Sequence, residues 1–128
     1  DIDEVAIEVA PDTATATHLA GLRSIGLNRV NLGLQTTSAT ELHSIGRRYE
    51  IPMNERAVEA ALSTGFDNVC VDLIYGLPNQ DDDAWLASLN WVADRRPETE
   101  LNFKFYRQAT NKIAGISDEA AAFLGGFF

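Results

Sequence analysis

The chain has little cysteine and few basic residues. Its 128 residues include one cysteine, Cys70, which excludes an internal disulfide and a metal site made of cysteines alone within this chain. Ten Lys and Arg stand against nineteen Asp and Glu, which gives a net charge of −9. Because nucleic-acid binding needs a basic surface, this balance argues against nucleic acid as a partner.

Long apolar runs are also absent. No run approaches the roughly 20 residues that a membrane-spanning helix needs, and the first residues lack the basic, apolar and small-residue order of a signal peptide. We therefore predict a cytoplasmic protein without a membrane span. The apolar share of 45% and the charged share of 23% are typical of a globular domain with a hydrophobic core.

Short β-branched runs alternate with longer helical patterns along the sequence. The runs predict four strands, near residues 4–9, 29–34, 68–74 and 101–106. Helices are predicted near residues 15–25, 38–45, 55–64, 81–94 and 117–124. Ser38 and Asn54 are the candidate N-caps of the second and third helices, Ser38 at a capping-box spacing from Glu41. Strands that alternate with helices predict an α/β fold with a parallel sheet, as a barrel segment or a doubly wound sheet.

Polar side chains fall at the carboxyl ends of three predicted strands. Glu8 lies near the end of the first strand, Gln35 follows the second, and Asp72 comes late in the third. In parallel α/β folds the ligand-binding groups gather at this edge of the sheet. Asp72 is the sharpest candidate, because a carboxylate in the apolar run VCVDLI is costly unless it is hydrogen-bonded or paired. A structural partner for Asp72 and a solvent-facing Glu8 stay open as alternatives.

Four segments carry a resemblance to a known family. They are AIEVAP (6–11), GLNRVNLGLQ (26–35), SIGRR (44–48) and GFDNVCVDLIYGLPNQ (65–80). In this order and spacing they resemble the oxygen-independent coproporphyrinogen III oxidase-like family of radical S-adenosylmethionine (SAM) proteins. The similarity covers about residues 4–95, and DLIYGLP (72–78) is its most specific part.

The resemblance implies a fold, a cofactor and a set of site residues. The fold is an incomplete parallel (β/α) barrel of radical SAM type, with about four βα units. Glu8, Gln35, Arg47 and Asp72 match the family's SAM contacts. Family members also hold a [4Fe–4S] cluster through a C-x3-C-x2-C loop, and that loop is absent from this sequence. We therefore expect residues 1–128 to be the central to C-terminal part of a radical SAM core domain, with no metal ligands of its own and no activity alone.

The resemblance leaves several functions open. One is SAM-dependent oxidative decarboxylation in porphyrin and heme biosynthesis, the oxidoreductase activity of the family. A second is the heme chaperone branch of the same family. A third is a radical SAM methyltransferase or a tetrapyrrole-opening enzyme, and an unrelated (β/α) barrel segment is the fourth. The partners implied are SAM and a porphyrin or another tetrapyrrole, and no catalytic residue can be identified.

Overall fold

A parallel sheet of four strands forms the centre of the fold. The computed structural model describes residues 3–95 together with the backbone of residues 101–107. The strands are β1 (Ala6–Val9), β2 (Arg29–Gln35), β3 (Asn68–Tyr75) and β4 (Leu101–Arg107). They pair in parallel in the order β1-β2-β3-β4, so that each strand lies beside its neighbours in sequence. The predicted α/β class with parallel strands is confirmed.

Within residues 3–95, four helices connect or follow the strands. They are α1 (Ala16–Ser24), α2 (Ala39–Ser44), α3 (Pro52–Ser63) and α4 (Asp82–Arg95). The predicted cap of α2 is confirmed, because the Oγ of Ser38 accepts a hydrogen bond from the backbone N–H of Glu41 at 3.3 Å. The helix predicted near residues 117–124 lies outside the described residues.

The prediction that Asn54 caps α3 is wrong. The helix begins at Pro52, whose fixed φ and missing N–H suit the first helical position. Asn54 therefore lies inside the first turn, where it is buried. Its Nδ2 donates a hydrogen bond to the backbone oxygen of Thr36 at 3.2 Å, which joins α3 to the end of β2.

The hydrophobic core lies on one face of the sheet. Side chains alternate along β2, so that Val30, Leu32 and Leu34 are buried between half-buried positions. The register pairs Val30 with Val69 and Leu32 with Val71, which places these side chains in one layer. The helices add Leu19 from α1, Ala57, Val58 and Ala61 from α3, and Trp85 and Val92 from α4.

This arrangement separates the two faces of the sheet. Each fully buried Val or Leu of the helix-covered face contributes about 1.5–3 kcal/mol through the hydrophobic effect, so the register is strongly fixed. The positions that alternate with the core residues point to the opposite face. No helix in the described part of the chain combines the length and apolar character needed to cross a bilayer.

Candidate functional site

The structure brings the four predicted site residues together. Glu8, Gln35, Arg47 and Asp72 all line one cavity of about 410 Å³ beside the ends of β1, β2 and β3. We call this space the cofactor cavity, because the family resemblance implies that these four residues contact a cofactor. The rest of its wall is Val9, Ala10, Gly33 and Ile74. Two carboxylates, one guanidinium and one carboxamide thus meet in a pocket of the size that small molecules occupy.

The face opposite the core supplies most of these groups. Glu8 pairs in register with Asn31, and Asn31 pairs with Cys70. Because side chains alternate along a strand, a residue two positions further along the same strand reaches the same face. Asp72 comes two positions after Cys70 and therefore shares its face, whereas its neighbours Val71 and Leu73 are buried in the core on the other face.

Asp72 is the most enclosed of the four. Its side chain is 7% exposed, although it lies in the middle of an apolar strand. It lines the cofactor cavity and is not part of the core cluster that packs against the helices. A carboxylate in such a place is stabilised by hydrogen-bond donors or cations. The cofactor cavity is therefore suited to a ligand that carries hydroxyl or ammonium groups.

The end of β2 is distorted beside the cavity. The register pairs Leu32 with Val71 but Gln35 with Leu73, so three steps along β2 face two steps along β3. This is a β-bulge, which bends the strand and re-aims its side chains. Gln35 has a φ of 68°, which lies in the left-handed region that residues other than glycine rarely adopt.

Arg47 lies on the segment between α2 and α3, and a tyrosine ties this segment to β2. The Oη of Tyr49 donates a hydrogen bond to the backbone oxygen of Gly33 at 3.4 Å. Burial raises the pKa of Tyr49 to about 12, with the Arg47 guanidinium lowering it and the Asp12 carboxylate raising it. Tyr49 is thus a neutral hydrogen-bond donor at neutral pH, close to the charge of Arg47.

A buried polar network joins α2 to the residue after β2 and to the loop after β3, and the sequence patterns did not predict it. The Oε1 of Glu41 accepts hydrogen bonds from the Oγ1 of Thr36 at 2.7 Å and from the Nε2 of Gln80 at 2.9 Å. The Oε1 of Gln80 accepts from the backbone N–H of Gly76 at 2.8 Å. Glu41, Thr36 and Gln80 are each at most 5% exposed. The network joins the loop after β3 to α2, the helix that precedes Arg47.

A second cavity of about 550 Å³ adjoins the first and shares Arg47 with it. Its other wall residues come from α2 and the following segment, among them His43, Arg48, Tyr49 and Ile51. Within the described residues no group of three His, Cys, Asp or Glu side chains is placed to hold a metal ion.

Comparisons with known proteins point to one superfamily. The sequence model of the radical SAM superfamily matches residues 1–92. The heme chaperone HemW of Bacillus subtilis is 38% identical over 80 residues, which are 62% of this chain and 21% of that protein. The oxygen-independent coproporphyrinogen III oxidase of Helicobacter pylori is 31% identical over 102 residues, 80% of this chain and 22% of that protein. The chain thus spans about a fifth of the length of these curated relatives.

Solved structures agree with the sequence comparison. Coproporphyrinogen III oxidase (HemN) from Escherichia coli, a radical SAM enzyme, matches with a TM-score of 0.72 and 26% identity. The match covers 84% of this chain and 24% of that one. Elp3 from the archaeon Methanocaldococcus infernus matches with a TM-score of 0.67 and 18% identity, over 98% of this chain and 28% of the other. The second likeness concerns the fold alone.

Proposed function

The chain belongs to the radical SAM superfamily, and we propose that residues 1–128 form the SAM-binding wall of a radical SAM core barrel. One observation carries the proposal: Glu8, Gln35, Arg47 and Asp72, from three strands and one loop, line a single cavity. Superfamily membership implies SAM and a [4Fe–4S] cluster as the family's cofactors.

The donors and acceptors of the cofactor cavity fit SAM. Its ribose hydroxyls and its ammonium group donate hydrogen bonds, which the carboxylates of Glu8 and Asp72 accept. Its carboxylate suits Arg47, because guanidinium and carboxylate form strong charge-assisted pairs. Val9, Ala10 and Ile74 supply apolar surface for the uncharged parts of the ligand. In this role the chain binds and orients SAM and excludes water from one side of it.

The residues of this chain do not fit the iron–sulfur cluster. Such clusters are held by several cysteine thiolates, and the sequence has only Cys70. Cys70 is buried within β3, at 1% exposure. We propose that a cluster acting on SAM in this cavity is held by cysteines of another polypeptide segment, so that this chain is the central to C-terminal part of the core domain.

For the whole protein we propose SAM-dependent oxidative decarboxylation of a porphyrin precursor in heme biosynthesis. The support is the likeness to two coproporphyrinogen III oxidases, one in sequence and one in structure. A second candidate is heme binding by a chaperone, which the 38% identity with HemW favours. An assay of the protein that carries this domain separates them: an oxidase releases carbon dioxide from coproporphyrinogen III, whereas a chaperone binds heme stoichiometrically and releases none.

Equilibrium dialysis of the 128-residue chain with radiolabelled SAM tests the binding proposal. Asp72→Asn and Arg47→Ala each remove a charge-assisted hydrogen bond worth about 1.5–3 kcal/mol, so we expect roughly 10- to 150-fold weaker binding. Arg48→Ala and Asp83→Asn are the matched controls, because both side chains are exposed and neither lines the cofactor cavity. The controls should bind like the wild type.

A second ligand makes the test specific for Arg47. 5′-Methylthioadenosine lacks the amino acid part of SAM and therefore lacks its carboxylate. Arg47→Ala should leave the affinity for this ligand unchanged while it weakens SAM binding. Wild-type SAM affinity in a folded Asp72→Asn variant, or equal losses for both ligands in Arg47→Ala, would contradict the proposed assignments.

A further inference from the structure

We propose that Gly33 is a positioning residue for the cofactor cavity: its missing side chain lets the carboxamide of Gln35 lie across the end of β2 and reach the cavity. The inference rests on the proposed function in that SAM is the ligand used as a probe. The geometry behind it does not depend on the identity of the ligand.

The space above Gly33 is filled by Gln35. A methyl group at Gly33 would lie 2.9 Å from the Nε2 of Gln35, and the Cδ of the same side chain would follow at 3.9 Å. No other heavy atom of the described residues comes within 4 Å, apart from those of the immediate chain neighbours. A contact of 2.9 Å is too short for a carbon atom, so something must move. The end of a glutamine side chain moves more easily than a strand backbone.

The backbone of Gln35 explains why its side chain takes this path. On an ordinary strand, residues two positions apart, such as 33 and 35, point to the same face, and their side chains lie side by side without crossing. Here the β-bulge and the left-handed φ of 68° at Gln35 interrupt the strand between them. Backbone conformations of this kind cost free energy, and they concentrate at functional sites. A glycine inside a strand often marks a bulge or a close approach of another group.

Both residues line the cofactor cavity. Alanine at position 33 would therefore leave the sheet intact but push the carboxamide away from its present place. The cavity would keep its charged groups and lose the correctly placed hydrogen-bonding group of Gln35. Gly33 would thus influence ligand binding only through its neighbour.

A double-mutant cycle with SAM affinity as the readout tests this. Gln35→Ala should weaken binding about three- to tenfold, the equivalent of one neutral hydrogen bond. Gly33→Ala should weaken it to a similar extent, and the double variant should bind no more weakly than Gln35→Ala. Gly21→Ala is the matched control, because a methyl group at Gly21 meets no heavy atom within 4 Å. It should bind like the wild type.

Melting temperatures of the same variants provide a second cycle without ligand. Gly33→Ala should lower the melting temperature, and that cost should vanish in the Gln35→Ala background. If Gly33→Ala alone fails to fold while the double variant folds, the same contact is demonstrated. A further loss of affinity or stability on adding Gly33→Ala to Gln35→Ala would overturn the proposal.

The two cycles separate the two hypotheses. Wild-type SAM affinity in Gln35→Ala would count against Gln35 as a SAM contact, and so against that part of the proposed function. The melting temperatures would still decide whether Gly33 positions the side chain of Gln35.

Discussion

Replacing Gln80 with alanine should destabilise the chain markedly, although Gln80 lies in a loop. Its carboxamide is 2% exposed and joins two parts of the fold. The Nε2 donates to the Oε1 of Glu41 at 2.9 Å, 39 residues away in sequence, and the Oε1 accepts from the N–H of Gly76 at 2.8 Å. Alanine removes both of these hydrogen bonds, together with a longer one that the Nε2 donates to the backbone oxygen of Ile74 at 3.5 Å.

The size of the effect follows from the burial of the partners. A hydrogen bond to a charged group contributes about 1.5–3 kcal/mol, and a neutral one about 0.5–1.5 kcal/mol. Glu41 keeps one hydrogen bond, from the Oγ1 of Thr36. We therefore expect Gln80→Ala to lower the free energy of unfolding by about 3 kcal/mol, a large share of the total for a domain of this size.

Urea denaturation followed by tryptophan fluorescence measures this change, since Trp85 and Trp91 both lie on α4. Asn90→Ala is the matched control, because Asn90 is an exposed amide side chain on the same helix. Its effect should stay within about 0.5 kcal/mol. A loss below about 1 kcal/mol in Gln80→Ala would show that water replaces the carboxamide at little cost, and would refute the idea that this network fixes the loop after β3.

Three further predictions concern other parts of the chain. Tyr49 has a pKa of about 12 in the folded state against 10 in the unfolded state, so the stability that its neutral form contributes is fully present below pH 10 and is lost between pH 10 and 12. The Tyr49→Phe variant should therefore lose less stability than the wild type over this pH range, as measured by urea denaturation. An equal loss in both proteins would contradict this. Thr15→Ala removes the side-chain acceptor of the N–H of His18 and should cost about 1 kcal/mol in the same assay, whereas Thr17→Ala, at an exposed position, should cost less than half as much. Anaerobic reconstitution with iron and sulfide should give no [4Fe–4S] absorbance, because Cys70 is the only thiol; a stoichiometric cluster on a monomer would refute the proposal that the ligands lie elsewhere.

Local patterns predicted most of the secondary structure. The run RVNLGL predicts the strand β2, and in the structure every second residue of this strand is buried. The cap at Ser38 was equally visible, because capping depends on neighbours three residues apart. In the structure α3 begins about three residues before the predicted start, because Pro52 suits the first helical position.

The candidate site was predictable in its residues but not in its geometry. Polar residues at strand ends, together with the family resemblance, identified the four groups that line the cofactor cavity. The partner of Glu41 could not be predicted, because Gln80 is distant in sequence and the capping-box pattern suggested a local role for Glu41. The left-handed backbone of Gln35 arises from a bulge between two strands, and the sequence of one strand does not determine it.

The order of the strands has a consequence for how the fold is built during synthesis. Because each strand pairs with the one made just before it, the sheet can grow at one edge, and no later segment has to be inserted between two earlier ones. Chains emerge from the ribosome with the N-terminal part first. Glu8, Gln35, Arg47 and Asp72 all precede the end of β3 at Tyr75. The wall of the cofactor cavity can therefore assemble before β4 has been synthesised.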